Sequence, residues 1–136
     1  GKQKVLELGN LDAKRDWGFA GDYVKGMNLM LQHDSPDDYV LSTNETYSVR
    51  DFINCACSKL EINLEWKGEG EDSIGVDTSS GENIIKINPK FYRPAEVDLL
   101  IGDSSKARKK LGWEPETSFD QLVELMIDFD LKDNKV

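Results

Sequence analysis

The sequence predicts a mixed α/β fold of the α+β type, a small lobe of helices with short strands. Its 136 residues fit one domain, because a chain of this length can bury one hydrophobic core but not two. Strand-like and helix-like runs alternate along the chain, and none of the strand-like runs is long. Strands this brief exclude a large doubly wound sheet. We therefore expect a single domain over residues 1–136.

The first quarter of the chain predicts a strand, a loop and an amphipathic helix. Residues 4–8 alternate polar and apolar side chains, as a short strand does, and residues 11–18 are typical of a loop. Apolar side chains then recur at helical spacing and predict a helix that ends before Ser35. The apolar stripe, which we expect to face the core, comprises Ala20, Tyr23, Val24, Met27 and Leu31.

The middle of the chain predicts three strands and one helix. The strands are expected at residues 39–41, 64–66 and 84–87. Ser48-x-x-Asp51 has the form of a capping box and predicts a helix that begins there. Gly, Glu, Asp and Ser dominate residues 68–81 and predict an exposed acidic loop, mobile over about residues 68–83.

The last third predicts two helices. Asp103 or Ser104 can cap a short helix, and Gly112 is placed to end it. Ser118-x-x-Gln121 is a second capping-box pattern, followed by apolar residues at helical spacing. This final helix should run into the charged C-terminal tail.

Composition limits the class of partner. A formal net charge of −9 argues against nucleic acid and anionic membranes, because both attract clustered positive charge. No apolar run approaches bilayer length, and the first residues lack the apolar core of a signal peptide, so we expect a cytoplasmic protein. Cys55 and Cys57 diverge on the predicted helix and are expected to be reduced thiols.

The sequence lacks the patterns of several common catalytic and cofactor sites. It has no Gly-x-Gly-x-x-Gly after a strand and no phosphate-binding Walker loop. Its one histidine, His33, is expected on the surface at a helix end, which leaves no basis for a His-centred triad or zinc site. We expect no catalytic residue, no cofactor-binding residue and no metal ligand in this chain.

Two loops carry residues suited to a phosphorylated ligand. Residues 10–18 place Asn10, Lys14 and Arg15 beside a tryptophan and a glycine, and an arginine fork can hold two phosphate oxygens. In residues 91–98, Arg93 could bind phosphate while Glu96 accepts hydrogen bonds from ribose hydroxyls. The alternative for each loop is a surface ion pair, of Arg15 with a nearby aspartate or of Arg93 with Glu96.

Five segments resemble the GDP-mannose 4,6-dehydratases, of the extended short-chain dehydrogenase/reductase superfamily. The most specific is the run Asn-Leu-Asp-Ala-Lys-Arg-Asp-Trp-Gly at residues 10–18, whereas the Lys-Ala-x-x-x-Leu-Gly-Trp-x-Pro element at residues 106–115 occurs across the superfamily. The matching segments are residues 8–18, 22–24, 47–52, 91–98 and 105–115. The order follows the C-terminal, substrate-binding half of the family, so we expect the Rossmann half to be absent from this chain.

The resemblance implies a role in GDP-sugar chemistry. In the family, a Rossmann domain binds NADP and a smaller domain holds GDP-mannose, which is converted to GDP-4-keto-6-deoxymannose on the route to GDP-fucose. By that resemblance Arg15, Lys14 and Asn10 contact the substrate, and Arg93 with Glu96 holds pyrophosphate and ribose. The chain alone is expected to be inactive, with the Rossmann domain as partner and a homo-oligomer possible for the full-length enzyme.

Two other interpretations stay open at this point. The chain could be a stand-alone GDP-sugar-binding protein without catalysis. It could also be part of a related sugar-nucleotide epimerase or dehydratase, because a phosphate-binding loop does not distinguish one base from another.

Overall fold

The structure is a computed structural model that describes residues 3–93, 97 and 99–133. The chain divides into two compact units, the first formed by Gly1–Ala13 with Ser48–Asp98 and the second by Lys14–Tyr47 with Leu99–Val136. The strands are β1 (Leu6–Leu8), β2 (Lys14–Arg15), β3 (Tyr47–Ser48), β4 (Leu64–Lys67), β5 (Ile74–Asp77) and β6 (Glu82–Ile87). The α-helices are α1 (Ala20–Gln32), α2 (Val49–Lys59), α3 (Ser105–Leu111) and α4 (Phe119–Asp133).

The first unit is built on a four-stranded mixed sheet in the order β1-β6-β5-β4. β1 runs parallel to β6, with Leu8 opposite Ile87, while β5 is antiparallel to both β4 and β6. One face of this sheet buries an apolar cluster with α2. Its most buried members are Leu11, Ile53, Cys57, Ile85 and Ile87. Burial raises the pKa of the Cys57 thiol, so it remains protonated as part of this core.

Helix α2 begins where the sequence predicts. The Ser48 hydroxyl oxygen accepts a hydrogen bond from the Asp51 N–H at 3.0 Å, and the Asp51 carboxylate accepts the Ser48 N–H at 2.8 Å. Both capping-box bonds are therefore present, and two backbone donors at the helix start are satisfied.

The second unit packs its helices around Trp113 and Asp22. Trp113 is 2% exposed, and its indole N–H donates to the Asp22 carbonyl at 2.8 Å. The Asp22 carboxylate is equally buried and accepts the backbone N–H groups of Glu116 and Thr117 at 3.0 and 2.9 Å. Asp22 thus ties α1 to the segment that leads into α4.

The burial of the apolar stripe on α1 is the clearest sequence prediction that the structure contradicts. Val24, Met27 and Leu31 are 61, 55 and 87% exposed, whereas the buried residues of this helix are Asp22 and Gly26. Gly26 allows close packing, because a Cβ there would lie 2.7 Å from Leu41 Cδ1. Close packing at Gly26 and the hydrogen bonds of the Asp22 carboxylate therefore decide which face of α1 is inward.

Three local predictions are also corrected. Residues 39–41 form no strand. Just before them, the Asp37 carboxylate accepts hydrogen bonds from Lys106 and Lys110, which connects this part of the chain to α3. The predicted 68–81 loop contains a 3-10 helix at Gly70–Asp72 and the inner strand β5. The acidic side chains occupy its exposed turns, while Gly75 and Val76 lie in the buried centre of the sheet. The predicted loop at residues 11–18 includes β2, which pairs with β3.

Other element predictions are confirmed. β4 and β6 lie where the sequence places them, and Gly112 ends α3 with a left-handed φ of 63°. At the start of α4, the Ser118 N–H donates to the Gln121 side chain at 2.9 Å. The mixed α/β class is confirmed; that the two units act as one substrate-binding domain stays a prediction. No helix within residues 3–93 or 99–133 combines the length and apolar character needed to span a membrane.

Candidate functional site

The first predicted binding segment begins with a turn closed by Asn10. The Asn10 side-chain oxygen accepts the Asp12 N–H at 2.9 Å, which fixes the chain just after β1. Leu11 and Ala13, at 2 and 6% exposure, anchor the turn in the interior, while the Asp12 side chain is 60% exposed. The half-buried Asn10 therefore lies in a well-defined backbone rather than in a free loop.

Lys14 and Arg15 lie side by side on β2 in the second unit. The Lys14 carbonyl accepts the Leu100 N–H at 3.2 Å and the Arg15 Nη1 at 2.7 Å. Lys14 is exposed and Arg15 is partly buried. The two cations are thus carried on extended backbone that is paired with neighbouring chain.

The aspartates near Arg15 have structural partners of their own. The Asp16 carboxylate accepts hydrogen bonds from the Thr43 N–H and hydroxyl at 3.0 and 2.9 Å, and from the Asn44 N–H at 3.1 Å. Asp22 is occupied by the backbone N–H groups described above. Both carboxylates fasten loops of the second unit.

Arg93 follows a tight turn after β6 in the first unit. The Phe91 N–H donates to the Asn88 carbonyl at 2.9 Å, and the Asn88 N–H donates to the Leu8 carbonyl at 2.8 Å. Hydrogen bonds from Lys86 and then Asn88 hold the pKa of Glu7 below its ordinary value, so its carboxylate stays ionised beside this turn. Arg93 itself is exposed.

The two predicted binding segments approach each other in the first unit at Gly9. A Cβ on Gly9 would lie 2.3 Å from the Phe91 carbonyl oxygen, so only glycine allows this approach. Asn10 follows Gly9, and Arg93 comes two residues after Phe91. The structure therefore brings the Asn10 and Arg93 segments together, while Lys14 and Arg15 belong to the other unit. Glu96 lies outside the described residues.

Sequence reasoning missed one residue next to these segments. The Arg50 guanidinium donates to both carboxylate oxygens of Asp12, at 2.8 and 3.2 Å. The two residues are 38 positions apart, and the capping-box pattern around Ser48 predicts the helix but not this contact. The run at residues 47–52 that matches the family was the available signal.

Comparison with known proteins identifies the family. The family model described as GDP-mannose 4,6 dehydratase matches residues 1–126. The chain belongs to this family. The matched range includes all five predicted site residues.

Two relatives share about half of the aligned residues with this member of the GDP-mannose 4,6 dehydratase family. The GDP-mannose 4,6-dehydratase of Sinorhizobium fredii (strain HH103) is 50% identical over 131 residues, which cover 96% of this chain and 37% of that protein. The Drosophila melanogaster GDP-mannose 4,6 dehydratase is 49% identical, with 96% of this chain and 33% of that protein covered. The chain therefore spans about a third of the length of these curated relatives.

The fold also resembles solved structures of more distant proteins. UDP-glucose 4-epimerase from Bifidobacterium longum, solved in complex with NAD+ and UDP, aligns with a TM-score of 0.70 at 22% identity. The alignment covers 98% of this chain and 36% of that protein. At this identity the likeness establishes a shared fold.

The acidic residues do not form a metal centre in the described part of the chain. Across residues 3–93, 97 and 99–133, no group of three or more His, Cys, Asp or Glu side chains is arranged to hold a metal ion.

Proposed function

We propose that this chain is the GDP-sugar-binding part of an NADP-dependent GDP-mannose 4,6-dehydratase. The family match over residues 1–126 carries the proposal. The likeness to an epimerase that holds NAD+ and UDP supports the broader class of nicotinamide-dependent sugar-nucleotide enzymes. The reaction of such an enzyme oxidises the sugar at C4, removes water across C5 and C6, and returns the hydride to C6. The product is GDP-4-keto-6-deoxymannose, and a cytoplasmic location suits this chemistry.

Within this assignment, each predicted residue has one task. Arg93 and Arg15 bind the diphosphate, Glu96 accepts hydrogen bonds from the ribose hydroxyls, and Lys14 and Asn10 contribute further polar contacts. The close approach of Gly9 to Phe91 supports the pairing of Asn10 with Arg93, because it fixes both turns in one unit. The NADP-binding and catalytic residues belong to the part of the protein that this chain does not include, so the chain alone has no turnover.

The exposed apolar face of α1 indicates that a large partner contacts the second unit. Val24, Met27 and Leu31 recur at helical spacing and are all more than half exposed. An apolar stripe of this kind is usually covered in the working protein. Because the chain covers 33–37% of its relatives, we assign this stripe to contact with the missing Rossmann domain.

The first test is titration of GDP-mannose into the 136-residue chain by calorimetry, with Arg93→Ala and Lys90→Ala variants. Lys90 is an exposed cation on the same turn, so it matches the loss of charge without removing a proposed contact. We expect saturable binding that Arg93→Ala abolishes and Lys90→Ala leaves within about twofold. Equal losses in the two variants would show only a general charge effect and would reject Arg93 as a contact.

The second test uses a chimera in which this chain replaces the matching segment of the Sinorhizobium fredii relative. We expect the chimera to convert GDP-mannose in the presence of NADP and not to act on UDP-glucose. Turnover of UDP-glucose instead would favour the related-epimerase interpretation. A chimera that folds, binds NADP and neither binds nor converts GDP-mannose would overturn the proposed function.

A further inference from the structure

Arg50 connects three parts of the first unit at one point. Its guanidinium donates to the Asp12 carboxylate and lies over the ring of Trp66, whose centroid is 4.5 Å from the Arg50 Cζ. Its Nη2 also lies 3.3 Å from the hydroxyl oxygen of the buried Ser73. The backbone N–H of Arg50 donates to the Leu11 carbonyl at 2.9 Å. One residue of α2 thus contacts the Leu11–Asp12 segment through both its main chain and its side chain.

This arrangement contributes little to stability through charge alone. Asp12 is 60% exposed and Arg50 is 22% exposed, and pairs with such a solvated partner contribute about 0–1 kcal/mol. Arg50 is also the second residue of α2, where the helix dipole disfavours a cation. The contact therefore matters more for the position of the Asp12 carboxylate than for the stability of the fold.

The geometric consequence falls on the first predicted binding segment. A planar guanidinium that donates to both oxygens of a carboxylate fixes the carboxylate in distance and in orientation. Asp12 receives these two bonds, and its N–H is in turn bound by the Asn10 side chain. Arg50, Asp12 and Asn10 form one continuous set of hydrogen bonds that ends at a proposed substrate contact.

We infer that Arg50 is a positioning residue that sets the affinity of this protein for its GDP-sugar by holding the Asn10–Asp12 turn. The inference rests on the proposed function above and adds a residue that contacts no substrate. Loss of the guanidinium lets the turn sample other conformations, and the substrate then binds to the fraction of molecules that keep the competent one. The chemical step, which takes place on residues outside this chain, is not affected.

The test measures KM and kcat for GDP-mannose in the chimera with Arg50→Gln, Asp12→Asn and the double variant. We expect Arg50→Gln to raise KM about three- to fivefold, equivalent to about 0.6–1 kcal/mol of binding, with kcat changed less than about twofold. Asp12→Asn should act in the same direction. The double variant should be no worse than the more impaired single variant, because both substitutions break the same contact. Arg50→Lys should restore part of the affinity, since it returns the charge without the planar fork.

Ser48→Ala is the matched control, because it weakens the start of α2 without removing an atom of the contact between Arg50 and Asp12. It should lower the melting temperature and leave KM unchanged. If KM rises equally in Ser48→Ala, or if the losses at Arg50 and Asp12 add, Arg50 acts only through stability and the inference is wrong. An unchanged KM in Arg50→Gln overturns the inference while the proposed function stands. A parent chimera that does not bind GDP-mannose overturns both.

Discussion

Replacement of Gly9 by alanine tests the junction between the two predicted binding segments in the first unit. The added Cβ would lie 2.3 Å from the Phe91 oxygen and 2.9 Å from the Phe91 carbonyl carbon. An ordinary van der Waals contact begins at 3.4 Å, so the backbones at Gly9 and Phe91 must move apart by about 1 Å. Because the obstacle is backbone rather than a flexible side chain, a rotamer change cannot relieve it. Overpacking of this kind costs about 1–3 kcal/mol.

The same displacement should weaken ligand binding. Arg93 is two residues from the contact, and a shift of about 1 Å is large compared with the tolerance of a charge-assisted hydrogen bond. We expect Gly9→Ala to lower the free energy of unfolding of the chain by about 1–3 kcal/mol in urea. In the chimera, the dissociation constant for GDP-mannose should rise at least about tenfold.

Gly81→Ala supplies the control for this prediction. Gly81 lies between β5 and β6 with a φ of 74° and with no atom within 4 Å of a built Cβ, so alanine there is strained but not crowded. The strain should cost about 1–2 kcal/mol and leave GDP-mannose affinity unchanged. Parent-like stability in Gly9→Ala, or an equal loss of affinity in Gly81→Ala, would refute the reasoning.

Three further predictions concern stability and docking. Asp22→Ala should lower the free energy of unfolding by about 3 kcal/mol at neutral pH, because it removes a charged acceptor from two backbone N–H groups. Burial by itself raises the pKa of Asp22. The hydrogen bonds from Thr117 and Glu116 lower this pKa by more than burial raises it, so the pKa lies below its ordinary value. The difference in free energy of unfolding between the parent chain and Asp22→Ala should therefore have its full value above about pH 4. It should shrink as the pH falls through the folded-state pKa of Asp22, and a constant difference at all pH values would contradict this. Ser48→Ala should cost about 0.5–2 kcal/mol in the same assay through loss of the α2 cap, and an unchanged midpoint would argue against the capping box. Leu31→Glu should leave the melting temperature of the chain unchanged and lower the melting temperature of the chimera. Gln32→Glu should change neither melting temperature. Equal melting temperatures for the Leu31→Glu and Gln32→Glu chimeras would reject α1 as the docking face.

Local hydrogen-bond patterns made several elements predictable from the sequence. The capping boxes at Ser48 and Ser118 join residues three positions apart, so the pattern contains both partners. Gly112 ends α3 because a left-handed residue is needed at that single position. Similarly, the run at residues 10–18 was long and specific enough to indicate the family that the comparison then identified.

Predictions that depended on distant neighbours were less successful. The apolar stripe of α1 has the spacing of a core-facing helix, and nothing within α1 reveals that Asp22 is buried against residues 116 and 117. The sequence predicts a loop at Gly75 and Val76, because acidic and turn-forming residues flank them. Only pairing with β4 and β6 makes them the centre of a sheet.

The sequence by itself thus determined the helix starts, the mixed α/β class and the residue types of the candidate site. The tertiary structure alone decided which face of α1 is outward, that Gly9 meets Phe91, and that Arg50 holds Asp12. The physical reason is the distance along the chain. Capping and turn preferences act over three or four residues. These contacts instead join residues that are far apart in the sequence, and no local pattern links the two partners.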